Sequence, residues 1–433
     1  MYRSIILEIF VEGGWQILGQ VDVAESQIEK GYRAKGAFEY DLHYLDKNFA
    51  AIQSYGHRAA SVRYPLNFGR FSEASWPAFL LDLIPAGVAR DNWLKRLNLV
   101  DGFDADFELL AKGAINPPGH IRVKTEKNPF EGNMHHAGFD YSEVVGRGVD
   151  FIDYAESMGA IVSGTSGAQG VAPKFLLVQD SKEKWHGDGA ISDSQIKESW
   201  LVKFPRGKKE SDYKILELEA AYYRIAKKMG VRVHGPLLWD QDALFVPRFD
   251  REIQPQKGLV RKGLESLISA MGVADFGVSK SHEDYIQIIA KYCTRPKIEI
   301  QEYILRDFLN IVMGNTDNHG RNTALLKELD GTIKLSPLFD FAPMTLDDSG
   351  IARVSKWQKE DSQIPNFSSI YDLLLAHKFT ADEASVFLKK TFEQLENLMS
   401  EMKREKIEGK TLERVTRKFD EFMKKYLEEL KQI

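Results

Sequence analysis

Asp317, Asn322 and Asp340 fall within one stretch, MGNTDNHGRNTALLKELDGTIKLSPLFDF (313–341), in an order that suits phosphoryl transfer. In such sites a loop Asp accepts the proton of the attacking hydroxyl. An Asn at the fifth position beyond it holds a magnesium ion, and a second Asp before a Phe holds metal against the phosphates. Asn and Asp are also common turn residues, so TDNHGRN alone reads first as a polar loop. Its flanks argue for more. EYILRDFLNIVMG before it is apolar at helical spacing, and ALLKELDGTIKL after it reads as a hairpin through Asp330-Gly331 that returns Asp340 to the same neighbourhood.

Upstream, SGTSGAQGVAPKFLLVQD (163–180) spaces Gly164, Gly167 and Gly170 three apart among Ser163, Thr165 and Ser166. Glycines let backbone N–H groups approach an anion. The stretch matches neither the Walker pattern nor G-x-G-x-x-G, and it leads into a strand. A flap over nucleotide phosphates between two strands fits it; a flexible linker is the plain alternative. ESWLVKFPRG then places Lys203 inside a strand pattern, either facing water or gripping nucleotide phosphates. ILELEAAYYRIAKKMGV is a helix with a Gly230 stop, and Glu217 or Glu219 on it is a partner for Lys203. DALFVPRFDRE is a strand ending at Pro247. Gly-rich loop, strand lysine, helix glutamate, connecting strand, catalytic loop, metal aspartate is the serial order of a two-lobed kinase.

The bounds agree with this. A chain of 433 residues, 43% hydrophobic and 28% charged, has room for two or three ordinary globular domains. A net charge of -5 argues against broad nucleic-acid binding. The single cysteine, Cys293, excludes an internal disulfide and a cysteine zinc cluster; it reads as a core residue in a reducing compartment. MYRSIILEIFVEGGW is too short and too charged for a membrane span and lacks a leader cleavage site, so it reads as a first strand of a cytoplasmic protein.

In chain order, residues 1–123 read as a β-rich subdomain with helices, including a hairpin through Gly13-Gly14, the alternating GAFEYDLHYL, and a helical SWPAFLLDLIPAGVARDNWLKRL punctuated by Pro85. Residues 124–255 carry the nucleotide-binding part and open on a polar excursion, where His135-His136 reads as surface loop rather than metal pair. Residues 256–433 form a mainly helical lobe holding the catalytic loop. The expected class is α+β: a two-lobed, protein-kinase-like fold with a mixed α/β N-terminal lobe and an added β-rich subdomain.

The segments LLDLIPAGVARDNW, SGAQGVAPK, WLVKFP, VPRFDR, TDNHGRN and LSPLFDF resemble the HipA family of serine/threonine kinases, the toxin components of bacterial toxin–antitoxin pairs, over nearly the whole chain. The resemblance implies Asp317 as general base, Asn322 and Asp340 as magnesium ligands, and Lys203 as the α/β-phosphate contact. It sets His319, Gly320 and Arg321 beside the phosphates, and makes Ser166, Gly167, Ala168, Gln169, Gly170 and Lys174 the nucleotide loop. Pro247, Arg248 and Phe249 become the strand against adenine, with Phe339 bordering the nucleotide and Glu219 as the lysine partner. The serine that some members autophosphorylate aligns with Gly164, leaving Ser163, Thr165 and Ser166 as neighbouring candidates. Pro247 has no N–H to offer adenine.

The expected function is therefore an ATP- and Mg2+-dependent serine/threonine-protein kinase that phosphorylates a protein and itself and arrests growth. In the family the substrate can be an aminoacyl-tRNA synthetase, and a HipB-like helix-turn-helix antitoxin carries the kinase to DNA. A small-molecule phosphotransferase and a non-catalytic corepressor are the alternatives.

Overall fold

The computed structural model describes residues 1–125, 137–157, 161–162 and 173–432. They form two compact units. The first comprises Met1–Gly207, Leu238–Val278 and Leu325–Ile333; the second comprises Lys208–Leu237, Ser279–Ala324 and Lys334–Ile433. These units cut across a division at 123/124 and 255/256, and buried polar bonds explain why. Glu265 accepts from the Val62 N–H at 2.9 Å and from the Ser61 hydroxyl. Gly119 N–H donates to Asp250 at 2.7 Å, and Arg251 donates to the Gly119 carbonyl at 2.7 Å. Residues far apart in sequence thus share one interior.

The first unit holds a five-stranded antiparallel sheet in the order Arg70–Glu73, Gly36–Tyr40, Gly14–Ala24, Tyr2–Val11, Ile121–Val123. Val11 pairs with Gly14, so the hairpin turns on Glu12-Gly13, one residue earlier than the glycine pair suggests. Both turn residues have positive φ (54° and 80°), as a two-residue turn matched to strand twist requires. Only GAFEY of GAFEYDLHYL is strand. Asp41 then accepts from Tyr44 N–H at 2.9 Å and caps a short helix, Leu42–Lys47, so an N-cap overrides the alternation. The helical stretch around Pro85 breaks likewise, into a 3₁₀ turn at Ala78–Asp82 and a helix at Gly87–Leu97.

A second antiparallel sheet runs Leu238–Asp240, Ala243–Pro247, Ile196–Lys203, Lys174–Asp180, Ile161–Val162, and Trp185–Gly187 also pairs with Lys174–Asp180. Strands Ile161–Val162 and Lys174–Asp180 pair antiparallel, with Val162 opposite Lys174.

The second unit is mainly helical. Its central helix, Pro296–Val312, starts with proline in its first turn, where a missing N–H costs nothing. Phe308 seats this helix among the rings of Phe367, Phe422 and Tyr426, at centroid distances of 5.6, 5.3 and 5.6 Å. Burying one such ring is worth about 2 kcal/mol. No helix among the described residues is long and apolar enough to cross a membrane.

Candidate functional site

The central helix delivers the loop. Gly314 follows it at φ +68°, and a Cβ there would lie 2.7 Å from the Val415 carbonyl, so position 314 requires glycine on both conformational and steric grounds. Asn315 N–H donates to Asn310 O at 2.9 Å, and the Asn315 side-chain oxygen accepts Asp317 N–H at 3.3 Å. Asn322 closes the loop: its N–H donates to His319 O at 2.9 Å, and its Nδ2 to the Asp317 carbonyl at 2.9 Å. His319 Nε2 lies 3.3 Å from Asp317 Oδ1, and both side chains are partly exposed. Gly320 packs under Tyr285, where a Cβ would come within 2.6 Å of the ring, so this glycine has a steric duty whatever it does for a ligand. Arg321 is buried, and its N–H donates to His319 Nδ1 at 3.3 Å.

Asp340 has φ +51°, a left-handed conformation that Asp tolerates better than most side chains and that costs about 1–2 kcal/mol. Its neighbours hold it there. Leu338 N–H donates to Arg232 O at 2.8 Å, and the Phe341 ring packs on Tyr222 at 5.4 Å. Tyr222 also donates its hydroxyl to the Met313 carbonyl at 2.6 Å, so one tyrosine on the helix Glu210–Lys228 touches both ends of the 313–341 stretch. Burial drives the hydroxyl pKa of adjacent Tyr223 well up, and the Glu219 and Asp340 carboxylates push it the same way.

Asp317, His319, Asn322, Phe339 and Asp340 line one open pocket. Asp307, Asn310, Asn315 and Asn318 line it too, and sequence reasoning did not single them out. The signal for Asn318 was the first of the two amides in TDNHGRN; Asp307 was hidden inside an apolar helix.

The two candidate glutamates differ sharply. Glu217 pairs with Lys214 at 2.9 Å and its side chain is 45% accessible, whereas Glu219 is 3% accessible. Glu219 lies in the second unit and Lys203 in the first. Lys203 and Lys174, both buried, stand directly opposite each other on adjacent strands, with Leu244 on the other side of Lys203. Arg248 uses its guanidinium elsewhere: it pairs with Asp188 and with Asp250, the latter at 2.6 Å, and its N–H donates to Ser199 O at 3.0 Å. Pro247 lacks an N–H, so at that position the strand carries a carbonyl oxygen and no donor. Phe249 follows it in the same unit. Ser163, Thr165, Ser166, Gly167, Ala168, Gln169 and Gly170, like His135 and His136, lie outside the described residues.

A loop Asp, a loop Asn and a returning Asp meet in one pocket of a mixed α/β fold, and residues of these types suit phosphoryl transfer. The HipA-like C-terminal domain model matches residues 166–421, more than half of the chain, and the chain belongs to that family. A serine/threonine-protein kinase toxin HipA of Shewanella oneidensis is 25% identical over 199 residues, 41% of this chain and 43% of that relative. The match thus spans less than half of the relative's length. A chain in the Shewanella oneidensis MR-1 toxin–antitoxin complex of HipA, HipB and operator DNA superposes with TM-score 0.63 at 15% identity, covering 98% of this chain and 97% of that one. At that identity the likeness is one of fold. The Helicobacter pylori proinflammatory kinase CtkA, also 15% identical, gives a TM-score of only 0.33 over 54% of this chain and 87% of that one, and nothing rests on it.

Proposed function

We propose that this chain is an ATP- and Mg2+-dependent serine/threonine-protein kinase of the HipA toxin type, with a two-lobed kinase layout. The observation that carries this is the convergence of Asp317, Asn322 and Asp340 on one pocket, in a loop whose backbone is locked by its own amides. Asp317 accepts the substrate hydroxyl's proton as that oxygen attacks the γ-phosphate of ATP, and ADP leaves. Asp340 and the oxygen of Asn322 suit magnesium, a hard cation that takes few protein oxygens and fills its shell with water and phosphate. Bound there, magnesium would neutralise charge on the phosphates. Among the described residues no group of three or more His, Cys, Asp or Glu side chains is placed to hold a metal ion.

Lys203 and Lys174 supply positive charge for the α- and β-phosphates, with Glu219 as the partner of Lys203. His319, Gly320 and Arg321 border the phosphates, with residues 166–170 as further nucleotide contacts. Carbonyls of Pro247 to Phe249 accept from the adenine amino group, and Phe339 borders the nucleotide. In cells the kinase would modify a protein, with an aminoacyl-tRNA synthetase as candidate, and itself at Ser163, Thr165 or Ser166, arresting growth in the cytoplasm. A HipB-type partner would neutralise it and bring it to DNA.

Incubation with γ-labelled ATP, Mg2+ and a cell lysate tests the reading. Label in a protein band supports it. Label only in a small molecule, or none in any acceptor, overturns it.

A further inference from the structure

The residue beside Asp317 is built into the protein more firmly than Asp317 itself. Asn318 is 9% accessible, and both ends of its amide are used. Its Oδ1 accepts the N–H groups of Val354 and Ser355 at 3.2 and 3.3 Å. Its Nδ2 donates to the Ser355 carbonyl at 3.0 Å and reaches Asp307 Oδ1 at 3.5 Å. One side chain thereby imitates a strand partner for residues 354–355.

Asp307 in turn anchors a buried cluster. Its Oδ2 accepts from Arg353 Nη2 and from Trp357 Nε1, both at 2.8 Å, and His282 Nε2 lies 3.2 Å from its Oδ1. Arg353 also donates to Glu360 at 2.6 Å. Burial raises the Asp307 pKa, but Arg353 and the other donors outweigh it and hold the carboxyl below its usual range. None of these groups is needed for the transfer chemistry itself. A buried charge cluster seldom adds stability over apolar packing, which favours a role in fixing geometry.

We infer that Asn318 is a positioning residue for phosphoryl transfer: it pins the catalytic loop to the 353–355 segment and, through Asp307, to the Arg353–Trp357 cluster, so fixing where Asp317 points. This rests on the kinase reading above. Displacement of a reacting group by about 1 Å costs on the order of 10²-fold in rate, so loss of the pin is read in kcat.

The test uses the full chain and three variants. Asn318→Asp is isosteric but loses both Nδ2 donations and sets a carboxylate beside Asp307. Trp357→Phe keeps an aromatic ring and removes one donor to Asp307 without touching the loop. Leu388→Ala opens a cavity at a fully buried position that does not line the pocket, and serves as the destabilised control. Initial rates are measured well below each melting temperature, with nucleotide binding giving the active fraction. Hydrogen exchange is followed on the peptide 314–323.

The expected result is a fall in kcat of roughly 10²-fold for Asn318→Asp and a smaller one for Trp357→Phe, with KM for ATP within about threefold. Amides of 314–323 exchange faster in both, while Leu388→Ala keeps its kcat. Loop exchange unchanged in Asn318→Asp overturns the inference. So does a kcat loss no larger than that of the equally destabilised control. If the wild-type chain transfers no phosphate, the kinase reading fails, and loop exchange still decides whether Asn318 pins the loop.

Discussion

The side-chain amide of Asn322 donates to the backbone carbonyl of Asp317 at 2.9 Å, so the proposed metal ligand and the proposed base are locked by a direct bond. The five-residue spacing is what lets the amide reach back across the turn. Position 322 therefore has two separable duties, one for each end of the amide.

Asn322→Asp separates them. The variant keeps an oxygen for a cation and loses the donor to Asp317. The expected outcome is a drop in kcat on the order of 10²-fold that raising Mg2+ does not restore. A magnesium titration at saturating ATP checks it; full rescue by magnesium would show that the clasp does not matter.

Asp340→Ala and Asp340→Asn test the returning carboxylate and its backbone together. Alanine loses the ligand and adds strain of about 1 kcal/mol at φ +51°, whereas Asn tolerates that conformation. Both weaken ATP binding in Mg2+, and only alanine lowers the melting temperature as well. Calorimetric ATP binding with and without Mg2+, set beside thermal unfolding, reads both effects.

The glutamates on the helix Glu210–Lys228 give a clean contrast. Glu217→Ala removes an exposed pair with Lys214 and changes stability by less than about 1 kcal/mol, with turnover unaffected. Glu219→Ala removes a buried carboxylate and lowers turnover. Equal turnover in the two variants would remove Glu219 from the account.

Acid will loosen both units. Burial lowers the pKa of His57 and of His282 to about 4, and pushes that of His120 well down. Unfolded, each takes a proton near pH 6.5, so unfolding takes up protons below that pH. Stability is then fully present above about pH 6.5 and falls towards pH 4, by up to about 1.4 kcal/mol per pH unit for each histidine. Melting temperatures measured from pH 8 to 4.5 should be level at first and decline below about 6.5. A flat profile down to pH 5 would show that these histidines are not held neutral.

The site was legible where local chemistry decides structure. An apolar 3.6-residue repeat ending in Gly314 places a polar loop at a helix end. Asp330-Gly331 closes the hairpin between strands Ala324–Lys327 and Ile333–Leu335, with Gly331 at φ +88°. The strand bearing Lys203 followed from alternation, and the next was read as ending at Pro247, where it does end. What escaped is set by partners distant in sequence. Lys327 lies on the first strand of that hairpin, and nothing local shows that it is 1% accessible with its Nζ donating to the Ala59 carbonyl at 3.0 Å. The partners of the Arg248 guanidinium, Asp188 and Asp250, were likewise not legible, although its place on the strand was. Asn318 looks like any turn amide until residues 354–355 arrive beside it. The two compact units, each assembled from separated stretches, escaped for the same reason.

The central claim, that Asp317 is the base of a phosphoryl transfer, is tested most directly with Asp317→Ala. Transfer of label from γ-labelled ATP to protein is measured alongside equilibrium ATP binding. The account predicts that transfer falls by at least about 10²–10⁴-fold while ATP still binds within a few-fold of wild type. Transfer at the wild-type rate by Asp317→Ala would contradict it.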